Sequence, residues 1–532
     1  VASTFHSIET AKRSLFTQTA ALNTTGHNVA NANTVGYSRQ VVNMKASIPM
    51  EAYGMNRSNA PGQLGTGVEF DSIMRIRNSF LDAQFRGETS GNGSWTIKSE
   101  TLAKLEVIMN EPSDTGLRTV LDNFWKSWSD LSKDPESATA RKIVLETGAA
   151  MTDAINYMDR HLNNLTTDLT TSIGMKETEA ISYLNSIADL NSSITRIEGL
   201  GDNANDLRDQ RDLITDKLSK IINISVTDSD TGYNIMMGNT ALLQGAAVQV
   251  QPSPAGDLSA SFLTQGFASN NLNNGEAYGL IYSRENYVTD SKNQLNDLAT
   301  TIMNGTIKDV PFPTGSMLPE GTVVNQDTLV TVDGAEQLVT AGSALPANSV
   351  LKGTTTIDVK GFNGLHQLGF TLNGTTDRGL PFFEGTSAAT MKVNQKIIDD
   401  SNLLATSLRT EATGTGQAVV KGNNTLALLL SSLNETKFTA NDGSRSTVNS
   451  QYGAMVGQLG VKAQEAKRQA ENSDILVTQV DAQRQSVSGV SLDEELSNMM
   501  KFQHAYASAA RFMTTFDQLL DKLINSTGVV GR

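Results

Sequence analysis

Apolar residues recur every seven positions at both ends of this chain. Near the start they are Ile8, Leu15, Leu22 and Val29. Near the end they are Leu492, Met499, Tyr506, Met513 and Leu520, with a second row, Phe502, Ala509, Phe516 and Leu523, three positions on. A seven-residue repeat draws a narrow stripe along one side of a helix, and such a stripe needs a partner helix. Neither stretch contains proline. The pattern predicts that the two ends pair, or pack into a larger assembly, with the middle of the chain hanging from them. Small or uncharged residues on the other faces, such as Ala20, Ala21, Thr24, Thr25, Ala505 and Ala507, suit further packing between subunits.

Between the ends the period is mostly helical. Leu117, Leu121, Phe124, Trp128 and Leu131 share one face, with Pro112, Ser113 and Asp114 before and Pro135 after. From Ser137, a plausible N-cap, a stripe through Met158, Leu169, Leu184 and Ile194 predicts a long helix to about Glu198, weakened at Gly174. Gly199-Leu200-Gly201 breaks it, and the next helix carries Leu207, Ile214, Leu218 and Ile221. Tyr37 to Ile48 reads as extended. Val226, Tyr233, Ile235, Val248, Leu258 and Phe262 sit among Gly, Asn, Asp and Pro, which predicts short antiparallel strands over 223–287. Helices are predicted again over Gln294–Asn304, Val393–Leu404, Asn423–Leu433 and Thr447–Arg484. The Gly-, Thr- and Val-rich stretch 307–379 reads as an inserted all-β domain.

The fold class is mainly α with β insertions, multidomain, with terminal α-helices paired as a coiled coil. The nesting predicts a terminal helical domain from 1–45 and 488–532, a central helical domain from 46–306 and 380–487, and the insertion 307–379 furthest out. A chain of 532 residues exceeds what one core supports. Its net charge of −14 argues against a nucleic-acid partner, which needs a basic surface. With no cysteine, disulfides and thiolate metal sites are excluded. No apolar run is long enough to span a bilayer. The polar N-terminal stretch lacks the apolar region of a cleaved signal peptide, so export by the general secretory route is not expected.

Candidate chemistry is sparse. Asp206, Asp209 and Asp212 alternate with Arg208 and Arg211, and ion pairing along the helix surface is the simpler reading than a cation site. Asp228-Ser-Asp230-Thr-Gly232 begins like a calcium loop but lacks the distal glutamate, so it reads as a turn. Trp125 and Trp128 read as core. The histidines His6, His27, His161, His366 and His504 are scattered, although His27 and His504 both lie in the terminal stretches. Gly453, Gly457 and Gly460 read as a place where another backbone packs closely within the protein. We assign no catalytic, cofactor-binding or metal-ligating residue.

The residues Asn28-Val-Ala-Asn31-Ala-Asn33-Thr34-Val-Gly36-Tyr37-Ser-Arg39-Gln40 resemble the N-terminal signature of flagellar rod, hook and hook-associated proteins. Leu492-Asp-Glu494-Glu495…Phe502-Gln503-His-Ala505-Tyr506 resembles their C-terminal signature. Asn205-Asp-Leu-Arg-Asp-Gln-Arg-Asp212, with the opening Ser3-Thr-Phe and Glu9-Thr-Ala-Lys-Arg13, is similar to the family of the first hook-associated protein. The resemblance implies a non-enzymatic structural piece of the bacterial flagellum, joining hook to filament as an adapter ring. It implies self-association, contacts with the hook protein and with a second junction protein, and export by the flagellar type III apparatus with an uncleaved N-terminus. In this family the C-terminal helix also meets a cytoplasmic export chaperone, and Met499, Met500, Phe502, Phe512, Met513 and Phe516 would form a soft apolar face for it. A hook or distal rod protein is the nearer alternative, and a glycan-binding or hydrolase module in the insertion the more distant one. Three expectations follow: mobile ends in the free subunit, an insertion that can be removed, and an N-terminal stripe where Leu15→Asp blocks assembly while Thr17 tolerates Asp better if it lies off the stripe.

Overall fold

The computed structural model describes residues 4–49, 65–111, 113, 116–229, 232–254, 257–373, 376–413, 416–440 and 443–525. The chain divides into two compact units. The first comprises Val1–Thr96, Ile173–Gly279 and Gln469–Arg532; the second comprises Ile97–Ser172 and Leu280–Arg468. The helices are α1 (Thr4–Ala30), α2 (Ser79–Met109), α3 (Leu117–Leu131), α4 (Ala138–Glu198), α5 (Asn205–Ile221), α6 (Phe262–Ala268), α7 (Glu276–Tyr282), α8 (Thr289–Asn304), α9 (Gly361–Leu368), α10 (Gln395–Asp399), α11 (Thr425–Ser432), α12 (Val448–Ser488) and α13 (Leu492–Asn525). No helix among the described residues is long and apolar enough to cross a membrane.

In the first unit α1 packs along α13. The pair is antiparallel: Asn28 bonds Glu495, and seven residues back Ala21 lines one crevice with Phe502, seven residues on. Strands β1 (Gln40–Ala46) and β2 (Val68–Arg75) form an antiparallel hairpin with a bulge at Asn43/Met44, and it packs on α1 as well. A meander of β3 (Ser225–Ser229), β4 (Gly232–Met237), β5 (Thr240–Gln244) and β6 (Ala247–Val248) completes the β part. The strands predicted at Leu258 and Phe262 are instead a 3-10 turn and α6. Ser261 caps α6, its hydroxyl accepting the Leu263 amide at 3.2 Å.

Helix α2 was not legible, because Gly87, Gly91 and Gly93 interrupt a polar stretch. Gly93 has a packing reason: a Cβ there would come within 2.6 Å of the Lys220 carbonyl oxygen. Helix α4 runs unbroken through Gly174, with the Ser137 hydroxyl accepting the Ala140 amide at 3.3 Å. Helix α3 begins without a side-chain cap on Gly116. The Arg118 amide there donates to Glu111 Oε1, while Pro112 and Asp114 lie outside the described residues.

The second unit is built on an aromatic core. Phe124, Trp128, Phe362, Phe382 and Phe383 are buried, with ring centroids 4.7–6.5 Å apart in tilted or edge-on pairs. Aromatic pairs in such geometry add to the area term. Phe362 comes from a helix, α9, inside the segment expected to be all β. That segment otherwise holds β7 (Thr306–Phe312), β8 (Thr328–Val332), β9 (Ala335–Val339), β10 (Val350–Leu351) and β11 (Thr355–Lys360). Strand β7 pairs with β11 and also with Phe438–Thr439, so it is stitched into later chain. Asp333 and Gly334, both at positive φ, close the β8–β9 hairpin as Asp-Gly pairs do. The glycines of α12 do not admit another backbone: a Cβ at Gly453 would meet only the Arg118 guanidinium tip, and at Gly457 and Gly460 it would meet open space.

Candidate assembly site at the paired termini

Helix α1 ends at Ala30, where its last turn leaves carbonyls without intrahelical partners. Asn31 and Thr34 build the reversal: the Asn31 side chain donates to the His27 carbonyl at 3.1 Å, and the Thr34 hydroxyl donates to Asn31 Oδ1 at 3.2 Å. Gly36 turns the chain at φ +84, where a side chain is strained and a Cβ would press on Leu213. Tyr37 then reaches back, its hydroxyl donating to Asn28 Oδ1 at 2.8 Å. Burial and the charges of Asp206, Asp209 and Glu495 push its phenol well above the ordinary value, so it stays a donor.

Asn28 is 1% exposed. It donates to the Gln40 carbonyl at 2.8 Å and to Glu495 Oε2 at 3.0 Å, and accepts the Gln40 amide at 3.0 Å and the Tyr37 hydroxyl. Glu495, buried at the start of α13, also accepts Arg39 Nε at 2.8 Å, while Arg39 Nη1 reaches Glu494 at 2.8 Å. Gln40 Nε2 donates to Asp206 at 2.8 Å, and the Ser38 amide and hydroxyl both donate to Asp209 at 2.8 and 2.7 Å. The N-terminal signature, the C-terminal signature and the octapeptide of α5, more than 160 residues from either, thus meet in one polar cluster.

The acids of α5 are therefore not paired along their own helix. Arg75 Nη1 lies 2.6 Å from Asp209 and 3.0 Å from Asp212; Arg77 and Arg86 also face Asp212. Arg208 turns instead to Glu198 and Asp228, and Arg211 to Asp228. Burial pushes the Asp212 carboxyl up, but Arg77, Arg75 and Arg86 outweigh it and hold the group below the usual range. Asp228, the first residue of the calcium-like turn, is likewise engaged by arginines, and Asp230 lies outside the described residues. The outside partners were signalled in the sequence: Asp206 and Asp209 have no cation three or four residues away, the only spacing that faces on a helix. Arg75 and Arg77, two apart at the end of a strand-like stretch, supply one face of charge.

The heptad stripes sit differently from the expectation. The fully buried side chains of α1 are Ala11, Thr17, Ala21, Thr24, Thr25 and Asn28, while Ile8, Leu15, Leu22 and Val29 are only half-buried. The reason is that α1 lies between α13 and the β1–β2 hairpin, and small residues let the hairpin backbone approach. The Thr17 hydroxyl donates to the Val68 carbonyl, and a Cβ on Gly67 would press on Thr10. Thr17 is 1% exposed, so the condition on which its tolerance of Asp depended is not met.

On α13 only Glu495 and Ala509 are buried; Met499, Phe502, Met513, Phe516 and Leu520 are half-buried, and Leu492, Tyr506 and Leu523 are exposed. Large apolar side chains elsewhere on the pair face outward, among them Phe5, Phe16, Leu496, Met500, Phe512 and Ile524. His27 lies 3.3 Å from Asp206 and His504 is exposed further along α13, so the two are not brought together.

Comparison with known proteins places this geometry. Residues 102–306 match the model of the flagellar hook-associated protein FlgK helical domain. Residues 8–37 match that of the flagella basal body rod protein, and 482–526 that of the flagellar basal body rod FlgEFG protein C-terminal region. The chain is 34% identical over 544 residues, all of both chains, to flagellar hook-associated protein 1 of Bacillus subtilis. It is 25% identical to that of Escherichia coli and 26% identical to that of Salmonella typhimurium, covering 97% and 95% of this chain and 99% and 97% of theirs. Its fold is that of the flagellar hook junction protein FlgK from Burkholderia pseudomallei, with a TM-score of 0.51 at 15% identity over 76% of this chain and all of the other. The chain belongs to the flagellar hook-associated protein 1 family.

Proposed function

We propose that this chain is a structural subunit of the flagellar hook–filament junction, and that it self-associates into a ring through α1 and α13. The observation that carries the reading is the polar cluster joining three distant signature segments beneath a helix pair with outward apolar side chains. The cluster fixes how the pair leaves the unit, and the exposed apolar faces await other subunits. Ile8, Leu15, Leu22 and Val29 on α1, and Leu492, Met499, Phe502, Tyr506, Met513, Phe516, Leu520 and Leu523 on α13, would be completed by that packing. The hook protein and a second junction protein are its neighbours in the assembly. Before export through the flagellar type III apparatus, a cytoplasmic chaperone covers the α13 face that includes Met499, Met500, Phe512 and Phe516. We assign no catalysis. In the insertion, His366 is fully buried, with Nδ1 2.5 Å from the Leu380 carbonyl and Nε2 accepting the Ala405 amide, so it is not free to act as a base or ligand.

Deletion of the gene tests the reading. Intact hooks, absent filaments and flagellin lost to the medium are expected; filaments of normal length on the deletant would overturn it.

A further inference from the structure

A groove of 690 Å³ opens beside the signature turn, between Ala32–Tyr37, α5 and α12. Its walls include Val35, Leu213, Val477 and Val490, and Val35 is 78% exposed. Its acids are already held: Asp216 by Arg86 and Arg484 at 2.7 and 2.6 Å, and Asp481 by Arg484 at 3.0 Å. Lys217 on its rim is exposed and makes no ion pair among the described residues. The groove thus offers an apolar floor and one uncommitted cation.

The complementary surface lies on the same chain. Leu492, Leu496 and Met500 step by four along one face of α13 and are 49%, 51% and 58% exposed. Asp493 beside them is exposed and makes no ion pair among the described residues. None of the four lines the chain's own groove. We infer that the groove receives the first two turns of α13 from a second copy of this chain, with Asp493 meeting Lys217. This rests on the self-association proposed above and names its surfaces. Two different patches that fit each other add subunits head to tail, which builds closed rings or open helices rather than symmetric dimers.

The chain has no cysteine, so engineered pairs report cleanly. Hooks would be purified from cells carrying Lys217→Cys, Leu496→Cys or both, oxidised with copper-phenanthroline, and run on non-reducing gels with immunodetection. The inference predicts a ladder of multimers from the double variant, monomer from each single variant, and only dimer when the two singles are co-expressed. Monomer alone from a double variant that is present on hooks overturns the groove and leaves the junction role standing, whether another protein or nothing fills the groove. Dimers from one single variant also overturn it, since they show a symmetric contact. Absence of the unsubstituted chain from hooks overturns both. A charge exchange gives an independent readout. Lys217→Glu should reduce the amount of chain on hooks several-fold, and Asp493→Lys in the same chain should restore it; no recovery contradicts the inference.

Discussion

Asn28 has two donors and two acceptor sites, and the structure uses all four. No other side chain of that length supplies both, which is the physical content of its place in the signature. Asn28→Ala leaves the Gln40 backbone groups, the Tyr37 hydroxyl and the buried Glu495 short of partners. It should cost the first unit several kcal/mol, since each unpaired buried group costs about 1–3 kcal/mol. Asn28→Asp should cost more, because it loses both donations and sets a second carboxylate against Glu495. Thermal melting followed by a probe on α13 checks the order; an Asp variant as stable as wild type contradicts it.

His366 shows the same economy in the second unit. Its burial holds the imidazole neutral, with a pKa lowered to about 4 from an ordinary 6.5. The unfolded chain takes up a proton as pH falls through 6.5, and the native imidazole resists until about 4. Stability contributed above pH 6.5 is therefore lost between 6.5 and 4, by about 3 kcal/mol in all. His366→Gln should be less stable at pH 7 and have a shallower fall over that window; an unchanged slope would refute the assignment.

At the scale of elements, what the sequence revealed and what it hid have physical reasons. The long helix α4 and the shorter α5 have sustained apolar periods, and the Asn31–Tyr37 turn has its chemistry written in Asn, Thr and Gly. Helix α2 was hidden because three glycines interrupt it, and only Gly93 is there for close packing against α5, which no period records. Helix α9 is eight residues in a Gly- and Thr-rich stretch, too short for a period to register. The polar cluster was legible as three motifs but not as one site, since only folding brings Asn28, Asp206 and Glu495 together.

Helix α9 also revises the removable insertion. Deleting 307–379 takes Phe362, Leu365 and His366 out of the aromatic core. Losing a buried Phe alone costs about 3–5 kcal/mol, so that deletant should lose the cooperative melt of the second unit. The chain closes on itself further out, where the Gly321 amide donates to the Leu345 carbonyl and the Leu345 amide to the Thr322 carbonyl. Replacing 322–344 by a short glycine joint should keep the helical circular dichroism and the melt. Equal damage from both deletions would contradict this partition.

For the molecule as a whole, the terminal pair is anchored at one end and thinly covered at the other. Asn28, Gln40 and Glu495 fix the base, while Phe5, Leu519 and Ile524 are exposed toward the ends. Hydrogen exchange on the free subunit should be slow near Asn28 and Glu495 and rise toward Phe5 and Leu520, because few buried contacts oppose opening there. Uniform protection along both helices would count against an incomplete pair awaiting partners.

Assembly and folding separate most cleanly at Phe16. It is 64% exposed on α1, whereas Leu15 is half-buried and Thr17 is buried against β2. A carboxylate at Phe16 stays in water in the free subunit and is desolvated without a partner once other subunits pack there, at a cost of several kcal/mol per copy. The measurement is melting of purified Phe16→Asp subunit alongside filament growth in cells that carry it. The account predicts an unchanged melting temperature and loss of installation at the hook tip, with Thr17→Asp lowering the melting temperature instead. Filaments of normal length with Phe16→Asp, or a free subunit that melts several degrees lower, would contradict assembly through the outward faces of the terminal pair.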